Sequence, residues 1–240
     1  MAADSQYLHH PLDLQALTPA RIDRGRAGTR PRTAELLLFR ADHAAARDAV
    51  LTELPDDFPD QLGCVASVRT CAADRREYLL RPDLGRRIRP SDEQAVAALG
   101  KGGCDVLVVV GDGLSSIAVA SQVPLLLPPL LASLEALRPG SVRGPIFVRN
   151  ARVGAMNHLG ELAQATVVVL LVGERPGLST SKSLSVYMGW MPRPGCTDAH
   201  RNVISNIHEQ GLVAQQAAPV VVRWVAGMFR ERTSGAHFTV

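Results

Sequence analysis

The hydrophobic pattern changes rhythm near residue 100. Before it, from Thr33, apolar positions Leu36, Leu37, Leu38, Ala41, Ala44, Ala45, Val50 and Leu51 recur at helical spacing and predict one long helix that ends before Pro55. Upstream, Leu14, Leu17 and Ile22 support a short helix with Thr18-Pro19 as cap and first-turn proline, and residues 25–31 form an irregular Gly/Arg/Pro link. Residues 65–68 and 78–80 read as short strands, and 81–85 as a turn. Beyond residue 100 the rhythm is βα. Strands are predicted at 105–110, 146–148, 167–172 and 184–187. A helix at 114–120 stops at prolines and resumes at 129–137, another covers 156–163, and amphipathic helices are expected over 198–209 and 215–230. Strands alternating with helices imply an α/β architecture: a Rossmann-like, three-layer domain with a mostly parallel sheet over residues 61–240, preceded by a helical N-terminal arm within residues 1–60.

Composition narrows the class. At 240 residues and 46% hydrophobic content the chain has ample material for one core. The apolar stretch from Val123 to Leu134 is broken by Pro124, Pro128 and Pro129, short of the roughly 20 residues of a membrane span. The start, Met1-Ala2-Ala3-Asp4-Ser5, lacks a basic segment followed by an apolar one, so a cytoplasmic protein is expected. Cys64, Cys71, Cys104 and Cys196 are scattered, which suits reduced structural thiols and no metal site.

The net charge of +3 is carried almost wholly by arginine, Lys101 and Lys182 being the only lysines. Arg21, Arg24, Arg26, Arg30, Arg32 and Arg40 crowd one segment, and Arg86, Arg87 and Arg89 another. Flat guanidinium groups suit protein interfaces. A nucleic-acid-binding protein using the Arg-rich arm is the rival reading, but no aromatic platform or nucleic-acid motif accompanies these residues. A partner protein is expected, and no nucleic acid.

Candidate chemistry is sparse. Gly111-Asp112-Gly113-Leu114-Ser115-Ser116 follows a strand and opens a helix, but Ser116 occupies the third glycine position of a dinucleotide fingerprint. The next strand ends in Val148-Arg149-Asn150, without an acid for a ribose. A tight strand-to-helix turn with Asp112 as N-cap fits these residues. Gly177-Leu178-Ser179-Thr180-Ser181 lacks the closing glycine of a nucleophile elbow. Glu174, in Gly173-Glu174-Arg175-Pro176-Gly177-Leu178, follows the apolar run Val167 to Val172, so it sits at a strand's carboxyl end, where open α/β sheets bind ligands. By position alone a solvated loop carboxylate is the plainer reading. No catalytic constellation stands out, and a stand-alone nucleotide- or cofactor-sensing module remains open.

An ordered set of motifs carries more. Arg30-Pro31-Arg32-Thr33, the segment from Tyr78 to Arg87, Gly111-Asp112-Gly113-Leu114-Ser115, Gly173 to Leu178, Ser183-Leu184-Ser185 with Tyr187, Asp198, Arg201 and Ile204-Ser205-Asn206-Ile207 stand in this sequence in that order. Together they resemble the small subunit family of ethanolamine ammonia-lyase, from about Leu17 to Phe238. The resemblance implies a hetero-oligomer in which a large TIM-barrel subunit directs the chemistry, and adenosylcobalamin is sandwiched between the subunits. It carries cofactor contacts onto Val153, Glu174 and Val203, the last expected in a helix and standing where a cysteine is familiar. Asp198-Ala199-His200-Arg201-Asn202-Val203 nearly matches Asp-x-His-x-x-Gly of base-off cobalamin proteins, but the glycine is missing. The family is base-on and needs no protein histidine on cobalt. Family members often carry a longer helical extension for loading into bacterial microcompartments. Here the Arg-rich arm begins within about 25 residues, too few for such an extension given a ~1.5 Å rise per residue.

Overall fold

Uninterrupted apolar runs, rich in valine, lie at the centre of the molecule. The structure is a computed structural model that describes residues 14–240 other than 19, 23, 138 and 139. In chain order the elements are α1 (Leu14–Leu17), β1 (Arg26–Ala27), β2 (Arg30–Pro31), α2 (Thr33–Leu51), α3 (Phe58–Gln61), β3 (Ala66–Arg69), α4 (Arg75–Leu80), α5 (Pro90–Leu99), β4 (Val106–Gly111), α6 (Ser116–Ala136), β5 (Val142–Arg149), α7 (Ala155–Leu162), β6 (Val167–Gly173), β7 (Leu184–Trp190), β8 (Arg201–Ile207) and α8 (Ala214–Glu231). β1 and β2 make a small hairpin within the expected irregular link, and the other six strands form one sheet in the order β3-β5-β4-β6-β7-β8.

The fold is α/β with a mixed sheet. β3, β5, β4 and β6 pair in parallel, β7 runs antiparallel to β6, and β8 antiparallel to β7. Strands buried on both faces read as continuous apolar runs, and successive residues feed opposite cores. Val106, Val108 and Val110 of β4 with Val167, Val169 and Leu171 of β6 face Val119, Val123 and Leu126 of α6 and Val221 and Val225 of α8. Leu107, Val109, Val168 and Leu170 face the other way, against Val96 of α5 and Met156 and Leu159 of α7.

Several expectations need correction. Residues 78–80 are not a strand but the end of helix α4, whose N-cap Asp74 accepts from the Glu77 amide at 2.8 Å while Glu77 accepts from the Ala73 amide at 2.8 Å. The two bonds satisfy one amide inside the first turn and one just ahead of it, and this local satisfaction outweighs the apolar Tyr78-Leu79-Leu80 triplet. The helix over 114–137 does not break. α6 runs through Pro124, Pro128 and Pro129, with Pro124 and Pro128 exposed on the outer face and the inner face packed into the core. α6 is long and apolar enough by length and composition to cross a membrane, but its apolar inner face is a wall of the core. Residues 198–209 are not a helix: a single 3-10 turn, Asp198–His200, leads into edge strand β8. Helix α5, with Pro90 in its first turn and Asp92 and Glu93 behind it, was not anticipated. Thr18 follows α1 instead of opening a helix, and Pro19 and residues 1–13 lie outside the described residues.

Candidate functional site

The carboxyl ends of β4, β5 and β6 meet at glycines that leave no room for a side chain. Gly113 has φ 62°, and a Cβ there would lie 2.3 Å from the Gly173 carbonyl oxygen; one on Gly173 would lie 2.1 Å from that of Ser115. The Leu114 amide donates to the Gly173 carbonyl at 3.0 Å. The Gly111–Ser116 loop is thus packed on the end of β6. Asp112 is not the N-cap of α6: Ser115 is, accepting from the Ala118 amide at 3.1 Å.

Asp112 has a different task. Fully buried, its two carboxylate oxygens accept from the Asn150 amide at 2.8 Å and the Ala151 amide at 2.9 Å, which pins the loop after β5 to the loop after β4. Asn150 is left-handed, φ 59°, where this turn brings both amides round. Arg75 Nη1 lies 3.8 Å from Asp112 and donates to the Gly113 carbonyl at 2.7 Å. Burial pushes the Asp112 carboxyl upward, against the pull of the two amides and the guanidinium.

Tyr78 stands beside this latch. Arg75 lies over its ring at 4.8 Å and Arg152 at 4.3 Å. Its hydroxyl donates to the Ala151 carbonyl at 3.0 Å, and Arg152 Nη2 donates to the Tyr78 carbonyl at 2.9 Å. Burial raises the phenol well above its ordinary value, so it stays a neutral donor.

Glu174, half-buried just past β6, is not a free loop carboxylate. It accepts from Ser183 Oγ at 2.7 Å, Ser185 Oγ at 2.5 Å and the Asn206 amide at 3.0 Å. It therefore ties the ends of β6, β7 and β8 together. A carboxylate has about four acceptor positions, so three protein donors leave one.

Beyond β6 one face of the sheet is open. Leu184, Val186 and Met188 of β7 point into the core under α6 and α8. On the opposite face Tyr187 is half-buried and Val203, its partner in the β7–β8 register, is 44% exposed. Two concavities lie along this face. The smaller, about 440 Å³, contains Val153, Glu174 and Val203 together, with Tyr78, Tyr187 and Ser205. The larger, about 990 Å³, continues toward Arg86, Asn157, Asp198 and Arg201 and shares Arg152, Val153, Tyr187 and Val203 with the first.

The three residues singled out in the sequence are therefore brought to one surface, with Val203 on a strand and not on a helix. Sequence reasoning missed Tyr78, Arg152 and Arg201 as members of it. Tyr78 and Arg201 stood in the ordered motif set, and Asp74 three residues ahead of Glu77 was a helix-start signal before Tyr78; nothing local marks Arg152. His200 lies in the 3-10 turn, where Nδ1 accepts from the Thr197 amide at 3.0 Å. Among the described residues no group of three or more His, Cys, Asp or Glu side chains could hold a metal ion.

A layered α/β fold with one open half-sheet face beside its strand ends is the form of a ligand-holding module. Comparison with known proteins places it more narrowly. Residues 9–239 match the family model described as Ethanolamine ammonia-lyase light chain (EutC). The chain is 42% identical over 224 residues to a protein of Clostridioides difficile (strain 630) named ethanolamine ammonia-lyase small subunit, a match covering 93% of this chain and 76% of that one. The chain belongs to the ethanolamine ammonia-lyase light chain family.

Proposed function

We propose that this chain is the cofactor-holding subunit of a two-component ethanolamine ammonia-lyase, which converts ethanolamine to acetaldehyde and ammonia. In this reading adenosylcobalamin, base-on, is held between the open face of β7 and β8 and a large TIM-barrel subunit in a cytoplasmic hetero-oligomer. The layered half of the sheet then carries a Rossmann-like domain, residues 61–240. Residues 1–60 serve as an arm toward the partner: Leu37, Leu38 and Phe39 are exposed on α2, and Arg21 pairs with Asp42 and lies over the Phe39 ring.

The observation that carries the reading is convergence. Val153, Glu174 and Val203 come from three separate segments yet line one concavity. The surroundings fit a corrinoid, whose rim is amides and whose tail carries a ribose and a phosphate. Val153 and Val203 supply apolar wall, Glu174 has one acceptor position to spare, and Arg152 Nε and Arg201 Nη1 are buried donors without a hydrogen-bond partner. When bound, the cofactor supplies a radical by homolysis of its cobalt–carbon bond. This chain's part is to hold: the Asp112 latch fixes the two loops behind Val153, and Glu174 fixes β8, so Val203 is presented on a rigid edge.

The test is reconstitution. The purified chain with adenosylcobalamin should release no acetaldehyde from ethanolamine, and activity should appear on adding the large subunit. Acetaldehyde release by this chain alone, or none from the mixture, would overturn the division of roles.

A further inference from the structure

The larger concavity is unusually rich in guanidinium groups. Arg86, Arg87, Arg152 and Arg201 line it, against the carboxylates of Glu161 and Asp198. Arg201, the first residue of β8, has a side chain only 6% exposed. Its Nε donates to the Thr197 carbonyl at 3.2 Å and its Nη2 to that of Cys196 at 3.5 Å, while Nη1 is buried with no hydrogen-bond partner. The nearest carboxylate, Asp198, lies 3.6 Å from Nε but is itself 96% exposed, so water screens most of its attraction. Burial holds Arg201 below its ordinary pKa, and Arg86 adds to that shift. A guanidinium remains charged in proteins, so an under-compensated buried one calls for an anion from outside the chain.

Arg152 repeats the pattern. Its Nη2 is spent on the Tyr78 carbonyl and its plane lies over the Tyr78 ring, but Nε is buried and unpartnered. It lines both concavities, so it stands where a ligand seated against Val153 and Val203 would continue toward Arg201.

Resting on the cofactor reading above, we propose that the larger concavity is an anion subsite in which Arg201, with Arg152 at the shared wall, holds the phosphodiester of the corrinoid's base-bearing tail. Two donors offered from different chain segments suit the several oxygens of a phosphate. The shared wall of Val153, Tyr187 and Val203 lets one ligand occupy both concavities, so the anion arrives tethered to the corrin. Exposed Arg86 and Arg87 add long-range attraction.

The test compares two corrinoids on the purified complex of this chain with its large subunit. Adenosylcobalamin and adenosylcobinamide share the corrin and the upper ligand, but the second lacks phosphate and base. Equilibrium dialysis should show Arg201→Gln weakening adenosylcobalamin binding by roughly ten- to a hundredfold, while adenosylcobinamide affinity stays within about twofold of wild type. Arg152→Gln should give the same ligand-selective loss, and the exposed Arg86→Gln a smaller one. Equal weakening of both corrinoids would assign Arg201 a structural role and overturn the proposal, as would unchanged binding of both. If the Arg201 variant fails to assemble, the Arg152 and Arg86 variants decide by the same pattern. Wild-type complex that binds neither corrinoid would instead overturn the cofactor reading and this inference with it.

Discussion

β6 and β7 are neighbours in one sheet, but they are covered differently. Every residue of β6 is buried, with Val167, Val169 and Leu171 in the core under α6 and Val168, Leu170 and Val172 in the core under α7. β7 buries Leu184, Val186 and Met188 on one face, while Tyr187 on the other looks into the concavities. The cause is connectivity. A parallel connection needs a crossover that lays a helix on the sheet, whereas an antiparallel turn brings none. The chain stops making crossovers after β6: residues 174–183 return directly to β7, and 191–200 to β8. α8 then covers only the face shared with α6. The face without a helix is where the candidate site lies.

The comparison breaks most severely at the latch that closes the parallel half. Asp112→Ala leaves Arg75 without its carboxylate and the Asn150 and Ala151 amides without an acceptor, all in a buried setting. Breaking a buried pair in this way costs about 3–5 kcal/mol. Urea unfolding followed by tryptophan fluorescence should show a loss of that size; a change below ~1 kcal/mol would mean the loops after β4 and β5 hold without the latch.

The same contrast explains what could be read in the sequence. The helix-covered half announces itself, because Val106 to Val110 and Val167 to Val172 are buried on both faces and need no alternation. The open half does not. In β8, Val203 faces the concavities while Ile204 and Ile207 pack toward the other core, and the register shifts between β7 and β8. Apolar positions at 203, 204 and 207 imitate a helical stripe, hence the mistaken helix. In α6 the error was opposite: prolines were weighted as breakers, although two sit on the exposed face, where freed carbonyls reach water, and burial of the inner face holds the helix. Glu174 was found by its place at a strand end, but its bonds to Ser183, Ser185 and Asn206 depend on three strands meeting. Arg201 stood in the motif set without a role, because the turn that buries it, through the Cys196 and Thr197 carbonyls, replaces the helix expected there.

A smaller effect is expected at the seam between the halves. Glu174→Gln keeps the shape, and the serine hydroxyls can reorient to accept from the new amide, so unfolding should barely change. The spare charge-assisted acceptor is lost. Such bonds are worth roughly 1.5–3 kcal/mol, so cobalamin affinity of the assembled enzyme should fall by about one to two powers of ten. Turnover at saturating cofactor should change less. The exposed Glu231→Gln on α8 serves as control. Equal affinity for wild type and Glu174→Gln, measured by cofactor titration, would confine Glu174 to tying the three strands together.

The smallest effect belongs to the open face itself. Val203 is 44% exposed on edge strand β8, so truncation opens no cavity in either core. Val203→Ala should leave unfolding within about 0.5 kcal/mol of wild type, as for surface positions. Its apolar surface has value only when something covers it. If a corrin lies against this strand, two fewer methyl groups lower affinity by at most about 1.6 kcal/mol at ~0.8 kcal/mol per buried carbon, less where the contact is partial. The informative quantity is the ratio of the two effects. Val186→Ala, one register step away and fully buried on the opposite face, should invert it, with a loss of stability of about 1.5–2.5 kcal/mol and little change in affinity beyond that. A Val203→Ala enzyme that loses stability but not cofactor affinity would show that this face is packed against protein, and the division between a covered half that stabilises and an open half that binds would fail there.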